Sequence, residues 1–185
     1  MLPFGLASAC YAFTKLTRPL VKKWREQGIR CTMFLDDGIQ AAETYERAYL
    51  QGNRQKQDMK KAGLTINFEK SNFTPVQQGS WLGFDIDTAA LKLYVPKAKI
   101  EHLINLLNSL SSSLVTSARE VSKIAGRIIS MQLAIGPLAR LFTRHMHYFI
   151  ENRSFWDSRH IINIELRKEI GFWRRNLKNS KRFPN

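Results

Sequence analysis

Asp36 and Asp37 are the residues of this 185-residue chain best suited to chemistry. They follow Cys31-Thr32-Met33-Phe34-Leu35 directly, and Gly38 comes straight after them. Two adjacent carboxylates offer oxygen ligands, which hard divalent cations prefer, and paired ions can clamp the attacking and leaving oxygens of a phosphoryl transfer. The same string is also an ordinary tight turn, because Asp and Gly dominate hairpin turns for conformational reasons alone. The surrounding residues decide between the two readings.

Acids that hold metal need a rigid mount. The apolar, β-branched run before them reads as a buried strand, Asp-Gly as the turn, and Gly38 through Ala42 as the returning strand. Upstream, Leu6 to Gln27 carries apolar residues at helical spacing and stops at Gly28. A polar helix is expected over Glu43 to Ala62, ended by Gly63, followed by a short strand from Leu64 to Phe68 beside Glu69 and Lys70. Gly79 to Asp87 and Leu91 to Val95 read as one hairpin. After Pro96 only helices are expected. The first covers Lys97 to Leu110, and a second is opened toward Ala134 by the capping box Ser117-Ala118-Arg119-Glu120. A third runs from Gly136-Pro137 to about Asn152, and a fourth begins near His160 and carries Trp173, Arg174 and Arg175. The fold class is therefore α+β, with an α/β part over 1–95 and a basic helical part over 96–185.

Length and a hydrophobic content of 44% allow a real core and exclude a disordered tail. The net charge of +14 points to a polyanionic partner, nucleic acid or an acidic membrane surface. The excess is uneven. Residues 1–95 hold 13 Lys and Arg against 9 acids, and residues 96–185 hold 16 against 6, so the second part is the larger electrostatic footprint. No run reaches the roughly 18 apolar residues that cross a bilayer, and the first residues do not follow the plan of a signal peptide. An intracellular protein, cytoplasmic or nuclear and not secreted, is expected. Cys10 and Cys31 read as small core residues, and His145 and His147, two apart on a helix, do not suit a metal site.

Taken in order, Leu2-Pro3-Phe4-Gly5-Leu6, Phe34-Leu35-Asp36-Asp37, Gly63-Leu64-Thr65-Ile66-Asn67 with Lys70, and Trp81-Leu82-Gly83-Phe84 resemble the palm of a reverse transcriptase. The likeness is to retroelement polymerases of the long-terminal-repeat or DIRS-like kind, from the second conserved block through the thumb and connection. An intron-encoded or telomerase-like polymerase is a further reading, but Phe34-Leu35-Asp36-Asp37 and Trp81-Leu82-Gly83-Phe84 fit the retroelement group better.

The resemblance implies a partial palm over 1–95, a helical thumb and connection over 96–185, and a set of roles. Asp36 and Asp37 are the metal-binding catalytic acids, for Mg²⁺ or Mn²⁺. Lys70 is a candidate to neutralise or protonate departing pyrophosphate. Pro3, Phe4 and Gly5 lie against nucleotide and template, as do Phe34 and Leu35, although these two also suit a buried strand. Trp81, Leu82, Gly83 and Phe84 form the primer grip, where a glycine lets another backbone come close. Lys97, Lys99, Lys123 and Arg127 meet phosphates without reading bases. Arg174 and Arg175 either do the same or cover an apolar helix face. The implied partners are an RNA template, a DNA or RNA primer, deoxynucleoside triphosphates and the rest of a retroelement polyprotein, with no membrane.

In that family another metal-binding aspartate belongs to a first block, expected upstream of Leu2, together with the fingers. The isolated chain is therefore expected to polymerise poorly or not at all. The alternative is a truncated remnant that acts as a basic nucleic-acid-binding module.

Overall fold

The computed structural model describes residues 6–178. Helices and small antiparallel sheets alternate along the chain, so the α+β class holds. Two compact units divide between Gln77 and Gln78.

The first unit contains helix α1 (Ala9–Glu26), strands β1 (Arg30–Phe34) and β2 (Asp37–Ala41), and helix α2 (Tyr45–Lys61). Gly28 closes α1 as expected. Its φ of 76° belongs to the left-handed region, and its N–H and that of Ile29 donate to the carbonyls of Arg25 and Trp24. This pattern satisfies the last carbonyls of a helix and turns the chain sharply. Buried Ile29 then leads into β1, which pairs antiparallel with β2 in the register Met33↔Gly38 and Phe34↔Asp37.

That register corrects two expectations. The turn is Leu35-Asp36, two residues earlier than Asp37-Gly38, so Asp37 already belongs to the returning strand. β1 is also not buried on both faces. Its side chains alternate between exposed and half-buried, as in a sheet with one solvated face.

Buried Asp58 of α2 joins the two helices by accepting from Lys23 Nζ at 2.9 Å and Trp24 Nε1 at 3.0 Å. Gln40 Nε2 of β2 donates to the Ala48 carbonyl at 2.7 Å, tying the hairpin to α2. Residues 64–68 do not form the expected strand. The Asn67 side chain instead accepts from the N–H groups of Glu69 and Lys70, a local bond that replaces a ladder with a turn.

The second unit opens with a three-stranded meander, β3 (Gln78–Trp81), β4 (Phe84–Asp87) and β5 (Lys92–Tyr94). The run expected as one strand from Gly79 to Asp87 is itself a hairpin, broken at Leu82-Gly83. Helix α3 (Lys97–Ser111) follows, then β6 (Val115–Ser117), α4 (Ala118–Ser130) and two short helices, α5 (Gln132–Ile135) and α6 (Leu138–Leu141). The remaining elements are α7 (Arg144–Glu151), β7 (Arg159–Ile161) and α8 (Ile164–Lys178). The capping box forms as read from the sequence, with Ser117 accepting from the Glu120 N–H and Glu120 accepting from the Ser117 N–H.

Leu103, Leu107 and Leu110 of α3 pack with Val121, Ile124 and Ile128 of α4, Met146 of α7, and Leu166, Ile170 and Trp173 of α8. The region after Pro96 is nevertheless not helix alone. His160 belongs to β7, opposite Thr116 of β6. The single helix expected after Gly136-Pro137 is two, because Glu169 of α8 accepts from the N–H groups of His145 and Met146 and so caps a fresh start at α7. Cys10 is exposed and Cys31 half-buried, so neither is the core residue expected.

Candidate functional site

Asp36 stands in the two-residue loop of the β1–β2 hairpin, and Asp37 is the first residue of β2. Both are exposed, and among the described residues neither carboxylate takes a hydrogen bond or ion pair. Leu35, immediately before them, has a φ of 54°, an uncommon conformation for a branched aliphatic residue. The closing pair Phe34↔Asp37 holds it there, and strain of this kind persists only where the surroundings impose it. Phe34 is 59% exposed, which corrects its reading as a buried strand residue. The hairpin tip thus presents a flat apolar ring beside two unpaired acids.

The donor set suits a hard cation in kind, since it is all carboxylate oxygen. Among the described residues no cluster of three or more His, Cys, Asp or Glu could hold a metal ion.

Lys70 lies in the loop after α2, exposed, on the turn that Asn67 makes, and it forms no ion pair with neighbouring Glu69. This loop is held by contacts that sequence reading missed. Lys56 Nζ sits 4.9 Å from the Phe68 ring centre and 5.4 Å from that of Phe73, a cation held over two aromatic faces. Asn67, two residues before Glu69, was the available signal for the turn. Pro3, Phe4 and Gly5 lie outside the described residues.

In the second unit, Trp81 pairs with Phe84 across the loop Leu82-Gly83, and both loop residues have positive φ, 46° and 76°. Two successive residues in that region make the turn whose twist matches a β-hairpin. Phe84 is buried beneath it and Leu82 is 39% exposed. The Trp81 indole N–H is buried with no hydrogen-bond partner among the described residues. Lys99 Nζ reaches the turn, donating to the Gly83 carbonyl at 2.8 Å.

The remaining basic residues differ from one another. Lys123 and Arg127 are exposed one helical turn apart on α4, and among the described residues neither side chain forms an ion pair. Lys97 borders a cleft shared with Asp85, Asp87 and Tyr94. Arg174 is committed to packing, donating to Asn108 Oδ1 at 3.1 Å and Ser111 Oγ at 2.5 Å and so binding α8 to α3.

Residues 1–86 match the family model for reverse transcriptase (RNA-dependent DNA polymerase). That part of the chain is similar to reverse transcriptases. Its fold is similar to that of a foamy viral protease-reverse transcriptase solved in complex with double-stranded DNA. The TM-score is 0.74 at 16% sequence identity, over 97% of this chain and 29% of that one. The chain therefore spans under a third of the length of that relative. No curated protein matches. Among the described residues no helix is long and apolar enough to cross a membrane.

Proposed function

We propose that this chain is the part of a retroelement RNA-directed DNA polymerase that binds the catalytic metal and the primer, in an enzyme that adds nucleotides to a primer 3′-hydroxyl. The observation that carries the reading is the β1–β2 tip: two unpaired carboxylates on a strained turn beside an exposed phenylalanine, inside the segment that matches the reverse transcriptase family.

Enzymes of this family work with divalent metal ions, and here Asp36 and Asp37 would hold Mg²⁺ or Mn²⁺. The bound ions would supply positive charge where negative charge develops on the transferred phosphoryl group. Phe34 and Leu35 pack against the primer end and nucleotide, and Pro3, Phe4 and Gly5 against nucleotide and template. Lys70, exposed and unpaired with Glu69, offers charge or a proton to departing pyrophosphate. Trp81 to Phe84 form the primer grip. Lys97, Lys99, Lys123 and Arg127 neutralise phosphates. On this reading residues 1–95 are a partial palm and 96–185 thumb and connection. The partners are an RNA template, a DNA or RNA primer, deoxynucleoside triphosphates and the other segments of a retroelement polyprotein, including fingers and nuclease.

A nucleic-acid-binding module without polymerase activity is the second reading, favoured by the exposed pair Lys123 and Arg127, which needs no acids to act. Primer extension on an RNA template with Mg²⁺ or Mn²⁺, with Asp36→Ala as control, separates them. Incorporation lost in the variant supports the polymerase. Salt-sensitive duplex binding with no incorporation, even when the fingers segment of a reverse transcriptase is joined ahead of the chain, supports the module.

A further inference from the structure

Helix α3 opens on two lysines, Lys97 and Lys99, with no acid in its first turn. That placement opposes the helix dipole, whose positive end favours carboxylates. A local rule broken in this way is compensated elsewhere, and for Lys99 the compensation is visible. Its Nζ donates to the Gly83 carbonyl at 2.8 Å and lies 5.5 Å from the centre of the Phe84 ring. Gly83 has a φ of +76°, a conformation that favours glycine, and a Cβ there would make the end of the Lys99 side chain shift.

A carbonyl uses one of the three ammonium protons and none of the charge. Among the described residues no carboxylate pairs with Lys99, so a full positive charge with two further donors stands at the hairpin turn.

We propose that Lys99 is a positioning residue for strand binding. One N–H locks the Leu82-Gly83 turn, and the remaining donors and charge meet a phosphodiester of the strand lying on that hairpin. The inference rests on reading Trp81 to Phe84 as the primer grip. It assigns to one side chain both the shape of the grip and a share of its electrostatics. A flexible point charge suits two partners in different directions.

The test compares the 185-residue chain as wild type, Lys99→Met and Lys99→Arg. Methionine keeps the length of the side chain and removes both hydrogen bond and charge. Two quantities are read: the salt dependence of affinity for a DNA primer–template duplex, and amide hydrogen exchange across residues 78–87. In Lys99→Met the affinity falls several-fold, the slope of log affinity against log salt drops by about 0.9, one phosphate's worth, and the hairpin exchanges faster. Lys99→Arg keeps the wild-type slope. A Lys99→Met chain with the wild-type slope overturns the proposal, since a purely structural lysine would alter exchange alone. Unchanged exchange overturns it equally. A wild-type chain that does not bind duplex at all sinks the nucleic-acid reading first, before any variant is compared, and the inference with it.

Discussion

Leu35 and Leu82 occupy the same place in two different hairpins, the first residue of a two-residue loop, and both adopt positive φ, 54° and 46°. Each immediately precedes a residue assigned to function, Asp36 and Gly83. A branched side chain in the left-handed region costs about 1–2 kcal/mol, so both turns are held by the pairs that close them. Leu35→Val, which adds β-branching at a positive φ, is expected to destabilise the first unit by about 1–2 kcal/mol. Leu35→Gly relieves the same strain and should come out near neutral. Urea denaturation followed by tryptophan fluorescence measures both, and equal losses in the two variants would contradict a strained turn.

Phe34 separates binding from stability. The residue is 59% exposed, so Phe34→Ala should change folding stability by no more than about 0.5 kcal/mol. Its affinity for a primer–template should nevertheless fall several-fold, because an exposed aromatic face is a surface on which a base or sugar can pack. Fluorescence anisotropy with a labelled duplex, beside a thermal melt, reads the two effects. A variant that loses stability and keeps affinity would return Phe34 to the core.

Asp58 gives the first unit a pH dependence of definite sign. The hydrogen bond from Lys23, then that from Trp24, holds its carboxyl below the usual carboxylate range. A group whose folded pKa lies below its unfolded one adds stability that is complete above the unfolded value and is lost as pH falls through the folded one. The contribution is therefore intact at neutral pH and disappears in acid, below about pH 4. Asp58→Asn should flatten this acid limb, and Asp58→Ala should cost about 2–3 kcal/mol at neutral pH, since the Trp24 indole N–H is left buried without its acceptor. Denaturation midpoints from pH 3 to 7 supply the measurement; an acid limb identical in wild type and Asp58→Asn would refute the assignment.

Arginine and lysine residues of the second unit should divide into two classes. Lys123 and Arg127 are exposed on α4 without ion pairs among the described residues, whereas Arg174 joins α8 to Asn108 and Ser111 of α3. The double variant Lys123→Ser, Arg127→Ser should reduce the salt slope of duplex binding by about 1.8 while leaving the melting temperature almost unchanged. Arg174→Ala should do the reverse, lowering the melting temperature and sparing the slope. If Arg174→Ala alone changes the slope, that residue belongs to the binding surface.

Much of this was legible in local sequence. Gly28 ended α1, Ser117 and Glu120 opened α4, and the apolar β1 segment running into two acids and a glycine marked a hairpin, because caps and turns are short-range chemistry acting within a few residues. The order of the four strings pointed to the reverse transcriptase family before any coordinates. What tertiary structure alone decided was long-range. The split of the expected third helix depends on Glu169 reaching back 24 residues to His145, and β7 exists because residues 159–161 find β6 some forty residues away. Neither partner is visible in a local window. The site shows the same division. The sequence determined that Asp36 and Asp37 are adjacent acids. The fold decided that they are unpaired, that Phe34 faces solvent beside them, and that Lys99 is bound to the turn at Gly83, since exposure and pairing are properties of the packed chain.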